Sequence, residues 1–510
     1  MERLSGYARA IAGRLFRGAR QLLALLAGAC VALVLGYTLY AVNVLPDLRP
    51  WHTERLAGEF SAIRHGTLDF AGYLGLEEKL FREASAAARS WADQGEAFSD
   101  SRFNPAGNIQ RLAAGAPYNR SFRLTPARPV GGALLVHGLT DSPYSMKALA
   151  ESLYSRGFEV TVLRLPGHGT FPSMLTEIRY RDWVAAVRLA ARDVAQRTGP
   201  GQPFYLGGYS TGATLTLNYA LDALTDADLR RPDRVLLLSP AIELTRVAAL
   251  ANVIDVLSIV PVPVLEKVRW QEVLPEFDPY KFNSFPVNAA RQVNRATKEL
   301  VAALSAAEEA GRIGQLPPVV TWQSVVDSTV GSAGTVDRLY AHLTGGAHRL
   351  MIFDVNRSRM LSSVQRPAAR AVIDRAIANH GGYALAIVSN ASEDAPEVAL
   401  TRYAPGSDTP AVEPLEAAWP ADVVSLGHVS LPFPPDDPVY GILPGSGRDG
   451  LPSLGSLLLR GESGALTISL GSLTRLRSNP FWSLVDREVG DVIAADLSAR
   501  GQQPAGAVDR

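Results

Sequence analysis

The chain has 510 residues, of which 47% are apolar, which is long enough for a large buried core beyond one minimal domain and too apolar for a disordered protein. Lys+Arg and Asp+Glu number 50 each, so no overall field favours nucleic acid or another polyanion. A single cysteine, Cys30, rules out a disulfide framework and a cysteine-based metal site and leaves the redox compartment open.

Leu22 to Val42 carries no charge over 21 residues, enough to cross a hydrocarbon core at about 1.5 Å per residue. Arg3, Arg9, Arg14, Arg17 and Arg20 precede it against Glu2 alone, and the positive-inside tendency keeps such a terminus cytoplasmic. The expected organisation is a basic cytoplasmic N-terminus over 1–20 and one transmembrane anchor over 21–45. Everything after Pro46 then lies outside, in the periplasm if the source is a Gram-negative bacterium. A cleaved signal peptide competes with this reading, but the run exceeds a usual h-region and no clear small-x-small site follows. A lipoprotein would need Leu three residues before Cys30, where Ala27 stands.

Residues 46–105 read as a helical connector, with Leu74, Leu76, Leu80, Phe81, Ala84 and Ala88 near helical spacing among charges, and a spacer role is expected for it. The first part of a core, 106–244, follows. From about Ser121, short β-rich runs alternate with helical ones, the pattern of a parallel sheet with crossover helices. Strands are expected at Gly132 to Val136, Phe158 to Leu165, Pro203 to Gly207 and Arg234 to Leu238, and helices at Pro143 to Tyr154, Tyr180 to Gln196 and Thr211 to Leu224. The alternation pauses over 245–316, a largely helical stretch read as a cap insertion, whose apolar section Leu250 to Leu265 could line an acyl pocket, touch a membrane surface or simply pack on the core. The second part of the core, 317–440, has strands at Pro318 to Trp322, Arg349 to Phe353 and Tyr383 to Val388 and a helix at Ala368 to Asn379. A Gly- and Pro-rich tail, 441–510, carries Ser469 to Arg475 and ends in a helix near Trp482 to Leu497.

Three motifs carry chemistry. Gly208-Tyr209-Ser210-Thr211-Gly212 is a Gly-x-Ser-x-Gly, weak as a string but set between an apolar strand and a helix, which is the context a nucleophile elbow needs. Gly208 and Gly212 matter because side chains at those positions would clash with neighbouring segments around a strained serine. His137-Gly138-Leu139-Thr140-Asp141 follows the first strand, and Arg164-Leu165-Pro166-Gly167-His168-Gly169 follows the second.

In this order the three motifs resemble those of the α/β-hydrolases, specifically the monoacylglycerol lipase, carboxylesterase and serine-aminopeptidase-like branch. The resemblance covers about residues 120 to 330. It implies an α/β-hydrolase fold, doubly wound and mostly parallel, with a helical cap. It also implies acyl transfer to water through a serine ester with no metal or organic cofactor, and the apolar section of the cap, as a lipophilic lining, favours a small-molecule acyl ester or lipid over a peptide as substrate. It makes Ser210 the nucleophile, puts the oxyanion donors at Leu139 and Thr211 N–H, and gives His137, Gly138, Gly208, Gly212 and His168 the task of shaping the site. Asp327, closing Val319 to Asp327, stands where the family places the acid, with Asp354 in reserve.

The base departs from the family. No histidine lies between Arg349 and Asn379, where relatives place it. His428 follows Asp327 by 101 residues and is the favoured base, with His380 and His348 as alternatives. His52, His65 and His342 have no supporting context, and no histidine pair with an acid has metal-ligand spacing. Two other classes stay open. An aminopeptidase would need an acidic clamp, for which Glu266, Glu272 and Glu276 are candidates, and a non-catalytic membrane scaffold would tolerate loss of Ser210 or the elbow glycines. Thioesterase or haloperoxidase-like chemistry uses the same residues.

Overall fold

The computed structural model describes residues 2–91, 98, 101–112, 117–243, 266–327, 329–345, 347–447, 451–456 and 474–502. The apolar section Leu250 to Leu265 and most of Ser469 to Arg475 lie outside the described residues.

A ten-stranded sheet organises the body, in the order β1-β3-β2-β4-β5-β8-β9-β10-β11-β12. Its strands are β1 (Phe122–Leu124), β2 (Gly131–Val136), β3 (Phe158–Leu163), β4 (Phe204–Tyr209), β5 (Arg234–Leu238), β8 (Val319–Ser324), β9 (His348–Phe353), β10 (Tyr383–Asn390), β11 (Glu397–Tyr403) and β12 (Ala411–Ala418). The seven strands from β3 to β10 run parallel, and β1, β11 and β12 are antiparallel additions at the two edges. A separate pair, β6 (Trp270–Glu272) and β7 (Phe285–Pro286), lies in the insertion. Strands β2, β4, β5 and β8 are buried at every residue, the mark of a sheet covered on both faces, and this explains why they read as near-continuous apolar runs.

One face carries α3 (Lys147–Tyr154) and the C-terminal α8 (Trp482–Ala499), whose Leu484, Val485, Val489, Val492, Ile493 and Leu497 join the sheet's core. The other carries α4 (Tyr180–Arg197), α5 (Thr211–Asp222), α6 (Val287–Glu309) and α7 (Ala368–Ala378). In α4, Trp183, Ala186, Val187, Ala190, Ala191 and Val194 recur at helical spacing and form the stripe that meets Leu134, Val136 and Leu206.

The N-terminal α1 (Glu2–Val44) contains a 29-residue stretch, Phe16–Val44, long and apolar enough to span a membrane, with no buried residue in its apolar window. A signal sequence near an N-terminus meets the same criterion as an anchor. Its far end touches the body: Tyr37 Oη donates to the Trp270 carbonyl at 3.4 Å, and Lys267 Nζ reaches the Leu45 carbonyl at 3.3 Å and Asp47 at 2.9 Å.

Two differences from the sequence reading stand out. The connector is no spacer. Its α2 (Phe70–Ser90) buries Phe70, Tyr73, Glu77, Leu80, Ala84 and Ala88, and Trp51, Leu80, Trp91 and Phe171 share one aromatic-rich cluster. Beyond Val388, β11 and β12 fill a stretch to which no element was assigned. The exposed β12 alternation carries Pro414, which only an edge strand tolerates.

Candidate active site

Sequence order and sheet order part company at β2: the chain goes outward to β3 and returns across β2 to β4. Loops leaving the carboxyl ends of strands at such a switch point diverge and leave a crevice. Val136 is level with Gly208, so the loops beginning at His137 and Ser210 emerge side by side.

Ser210 sits at φ 54°, ψ −118°, a left-handed backbone uncommon for a non-glycine residue, and its N–H is tied to the Leu238 carbonyl at 3.0 Å. The flanking glycines make that turn possible. A Cβ on Gly212 would lie 2.0 Å from the Val136 carbonyl oxygen, and one on Gly208 would lie 2.4 Å from the Ala213 nitrogen. The serine thus stands, nearly buried, at the first turn of α5, against the end of β2.

Asp327 lies three residues past the end of β8. Its Oδ1 accepts the N–H of Thr329 at 2.8 Å and of Val330 at 2.9 Å, and its Oδ2 meets His428 Nδ1 at 2.8 Å. The carboxylate is fully buried. Burial alone would raise its pKa, but the facing His428 and the Val330 and Thr329 N–H groups outweigh burial and hold it below the usual carboxylate range.

His428 reaches this carboxylate because its loop is laid across the strand ends. Ser324 Oγ donates to the Leu426 carbonyl at 2.7 Å, Asn356 N and Nδ2 donate to the carbonyls of Val424 and Val423, and Tyr209 Oη donates to the His428 carbonyl at 3.3 Å. The imidazole packs 5.0 Å from the ring of Tyr209, the residue before Ser210. Asp327, His428 and the serine elbow are therefore neighbours although 218 residues separate Ser210 from His428.

The alternatives are held elsewhere. His348 Nδ1 accepts the Val319 N–H and its Nε2 faces the Thr344 carbonyl, while both nitrogens of His380 face carbonyls, of Ile377 and Ser407. Asp354 pairs with Arg357 and accepts from Ser389. The three glutamates weighed as an amine clamp do not converge: Glu266 pairs with Arg55, Glu272 is exposed, and Glu276 is buried, accepting the N–H of Asn283 and Ser284. Among the described residues no His/Cys/Asp/Glu group is arranged to hold a metal ion.

Two buried histidines brace the loops. His137 Nε2 accepts the Leu165 N–H at 3.0 Å and its Nδ1 lies 2.8 Å from the Gly138 carbonyl; His168 Nδ1 faces the Pro166 carbonyl at 3.1 Å. Burial pushes both below the usual imidazole range, His168 to about 4, so both are neutral near pH 7. Beside the serine elbow, a cavity of about 170 Å³ is lined by Asp141, Tyr209, Asp278, Lys281, Val429 and Arg475 among others. Of these, Lys281 and Asp278 belong to the insertion and lie in no motif that the sequence displays.

Residues 127–345 match the family model of the serine aminopeptidases, S33. The thermostable monoacylglycerol lipase of Bacillus sp. (strain H-257) is 42% identical over 89 residues, 18% of this chain, and the match spans only 34% of that lipase's length. Among solved structures, one of the metagenome-derived lipolytic enzymes LipS and LipT aligns with 21% identity and a TM-score of 0.37 over 47% of this chain and 89% of its own. The Paleococcus ferrophilus monoacylglycerol lipase aligns with 19% identity and a TM-score of 0.34 over 50% and 98%. The chain resembles the monoacylglycerol lipase and esterase branch of the α/β-hydrolases, and its mostly parallel sheet is of that fold.

Proposed function

We propose that this protein is a serine hydrolase that cleaves carboxylic esters, lipid-like or acyl esters foremost, and that its N-terminal helix anchors it in a membrane with the catalytic body on the extracytoplasmic side. The observation that carries the reading is the 2.8 Å contact between His428 and Asp327 next to the strained Tyr209–Ser210 turn. A buried histidine–carboxylate pair beside a serine elbow is the arrangement that turns a hydroxyl into a nucleophile.

In this mechanism Asp327 accepts the Nδ1–H of His428, which leaves Nε2 free to take the Ser210 proton as Oγ attacks the ester carbonyl. The developing oxyanion is held by Leu139 and Thr211 N–H, donors that act where charge appears in the transition state. His428 then gives its proton to the departing alcohol, the acyl group stays on Ser210, and a water deprotonated by His428 releases the acid. The depressed pKa of Asp327 keeps it ionised through this cycle, so it stabilises the imidazolium that forms.

Treating the full chain in detergent with a fluorescent fluorophosphonate tests the assignment. Wild type should label, and Ser210→Ala and His428→Ala should not. A folded wild type that stays unlabelled sinks the hydrolase reading, and strong labelling of His428→Ala alone would move the base to another residue.

A further inference from the structure

The geometry points to a positioning role for the segment that precedes the sheet: Glu59 and Glu77, by clasping Arg164, set the orientation of the peptide that offers Leu139 N–H to the substrate oxyanion. This rests on the hydrolase reading for the identity of that donor.

Arg164 follows β3 with its side chain only 1% exposed. A buried guanidinium needs partners, and the connector supplies them. Glu59 takes Nη1 and Nη2 at 3.1 and 2.9 Å, and Glu77, in the middle of α2, takes Nε at 3.2 Å. Glu59, in contact with both terminal guanidinium nitrogens and the Gly167 N–H, is held below the usual carboxylate range although burial opposes it. For Glu77 burial prevails and the pKa rises.

The clasp fixes the loop from 164 to 168 at several points. Glu59 Oε2 accepts the Gly167 N–H at 2.9 Å, Arg164 Nη1 donates to the His168 carbonyl at 2.8 Å, and Tyr73 Oη donates to the Arg164 carbonyl at 2.6 Å. Ser121 Oγ bridges Glu77 and the Arg164 N–H at 2.8 Å each. From this loop the Leu165 N–H points at His137 Nε2. A backbone N–H can only donate, so Nε2 is the unprotonated nitrogen. The neutral ring then carries its proton on Nδ1 and gives it to the Gly138 carbonyl, 2.8 Å away.

Gly138 C=O and Leu139 N–H are two ends of one planar peptide. Fixing the oxygen therefore fixes the direction of the N–H, and a hydrogen bond to the oxygen polarises the same unit. The line runs from Glu59 and Glu77 through Arg164, Leu165 N–H and His137 to that peptide. The two glutamates are positioning residues, since they act through Arg164 and His137.

The test uses the full chain in detergent, with p-nitrophenyl butyrate as substrate and fluorophosphonate titration to count active sites, so that unfolded protein drops out of the rate. Glu59→Gln removes the charge and, whichever way the amide is turned, sets its NH2 against donors, either the Gly167 N–H and Arg164 Nη1 or the Phe60 N–H and Arg164 Nη2. The expected result is a kcat per titrated site lower by about 10²-fold, the usual effect of losing one oxyanion donor, with KM within about twofold. Affinity for butylboronic acid, whose tetrahedral serine adduct resembles the intermediate, should fall in parallel. Glu59→Asp should recover part of the rate, and Arg164→Lys, which keeps the charge but loses the planar fork, should not. Glu77→Gln reads the same quantity if Glu59→Gln does not accumulate as folded protein. A Glu59→Gln enzyme whose kcat per site stays within threefold of wild type while only its melting temperature drops overturns the positioning role and leaves the hydrolase reading standing. A wild type that neither titrates nor turns over overturns the hydrolase reading and this inference with it.

Discussion

The two halves of the candidate site are built in opposite ways. From Gly131 to Leu238 each chemical residue follows its strand directly, His137 after β2, Arg164 after β3 and Ser210 after β4, and the serine is aimed by a local turn that needs Gly208 and Gly212. From Ser324 to His428 the acid follows β8 closely, but the histidine arrives only after β9, β10 and the antiparallel β11 and β12, and it is held by hydrogen bonds from Ser324, Asn356 and Tyr209. Where a residue is aimed by its own strand, spacing identifies it. Where it is aimed by distant partners, insertions such as β11 and β12 can change the spacing freely, because surface connections tolerate added length at low entropic cost.

The largest effect should come from the distant half. Asp327→Asn keeps the volume but no longer selects the tautomer of His428, and kcat on p-nitrophenyl butyrate should fall by about 10⁴-fold with the fold intact by circular dichroism. A loss under tenfold would mean that this carboxylate does not orient the base. The stability that the ionised, depressed carboxylate contributes is complete above about pH 4 and is lost as pH falls below that.

Next comes the local half. Gly212→Ala places a methyl 2.0 Å from the Val136 oxygen, so β2 and α5 must separate. Destabilisation of about 3 kcal/mol is expected, the upper part of the range for overpacking, read as a drop in urea midpoint together with loss of labelling. Wild-type stability in this variant would mean that the elbow is looser than its contacts imply.

The smallest effect lies outside both halves. Burial pushes Glu276 up to about 6 despite the nearby Arg102 and the Ser284 and Asn283 N–H groups. A carboxyl with a raised folded pKa costs stability as pH rises from its unfolded value of about 4.3 through 6, here by about 2 kcal/mol. Thermal melts should therefore show a decline over that window that Glu276→Gln flattens. An unchanged slope would assign the decline to other groups, Glu77 first.

Much of the core was legible from residues alone. The strand runs at Arg234 to Leu238 and Tyr383 to Val388 and the helices at Tyr180 and Ala368 are found where apolar periodicity puts them, because burial on two faces leaves a continuous apolar signature. Edge strands were not legible. In β12 most residues are exposed and Pro414 is among them, with only Leu415 and Ala417 half-buried, so pairing with β11 more than burial makes it a strand. The connector's role was missed for a related reason. Nothing in the neighbouring residues marks Glu59 and Glu77, and only their meeting with Arg164, 105 and 87 residues away, turns them into buried groups.

By itself the sequence determined the parallel core, the serine elbow with its glycines and the apolar N-terminal helix, since each is written in neighbouring residues whose sterics and hydrophobicity act locally. The tertiary structure alone decided which histidine meets Asp327, that the connector closes over Arg164, and that the insertion brings Lys281 and Asp278 to the cavity beside Tyr209. Those depend on distances between residues far apart in the chain, which packing sets and local propensity does not encode.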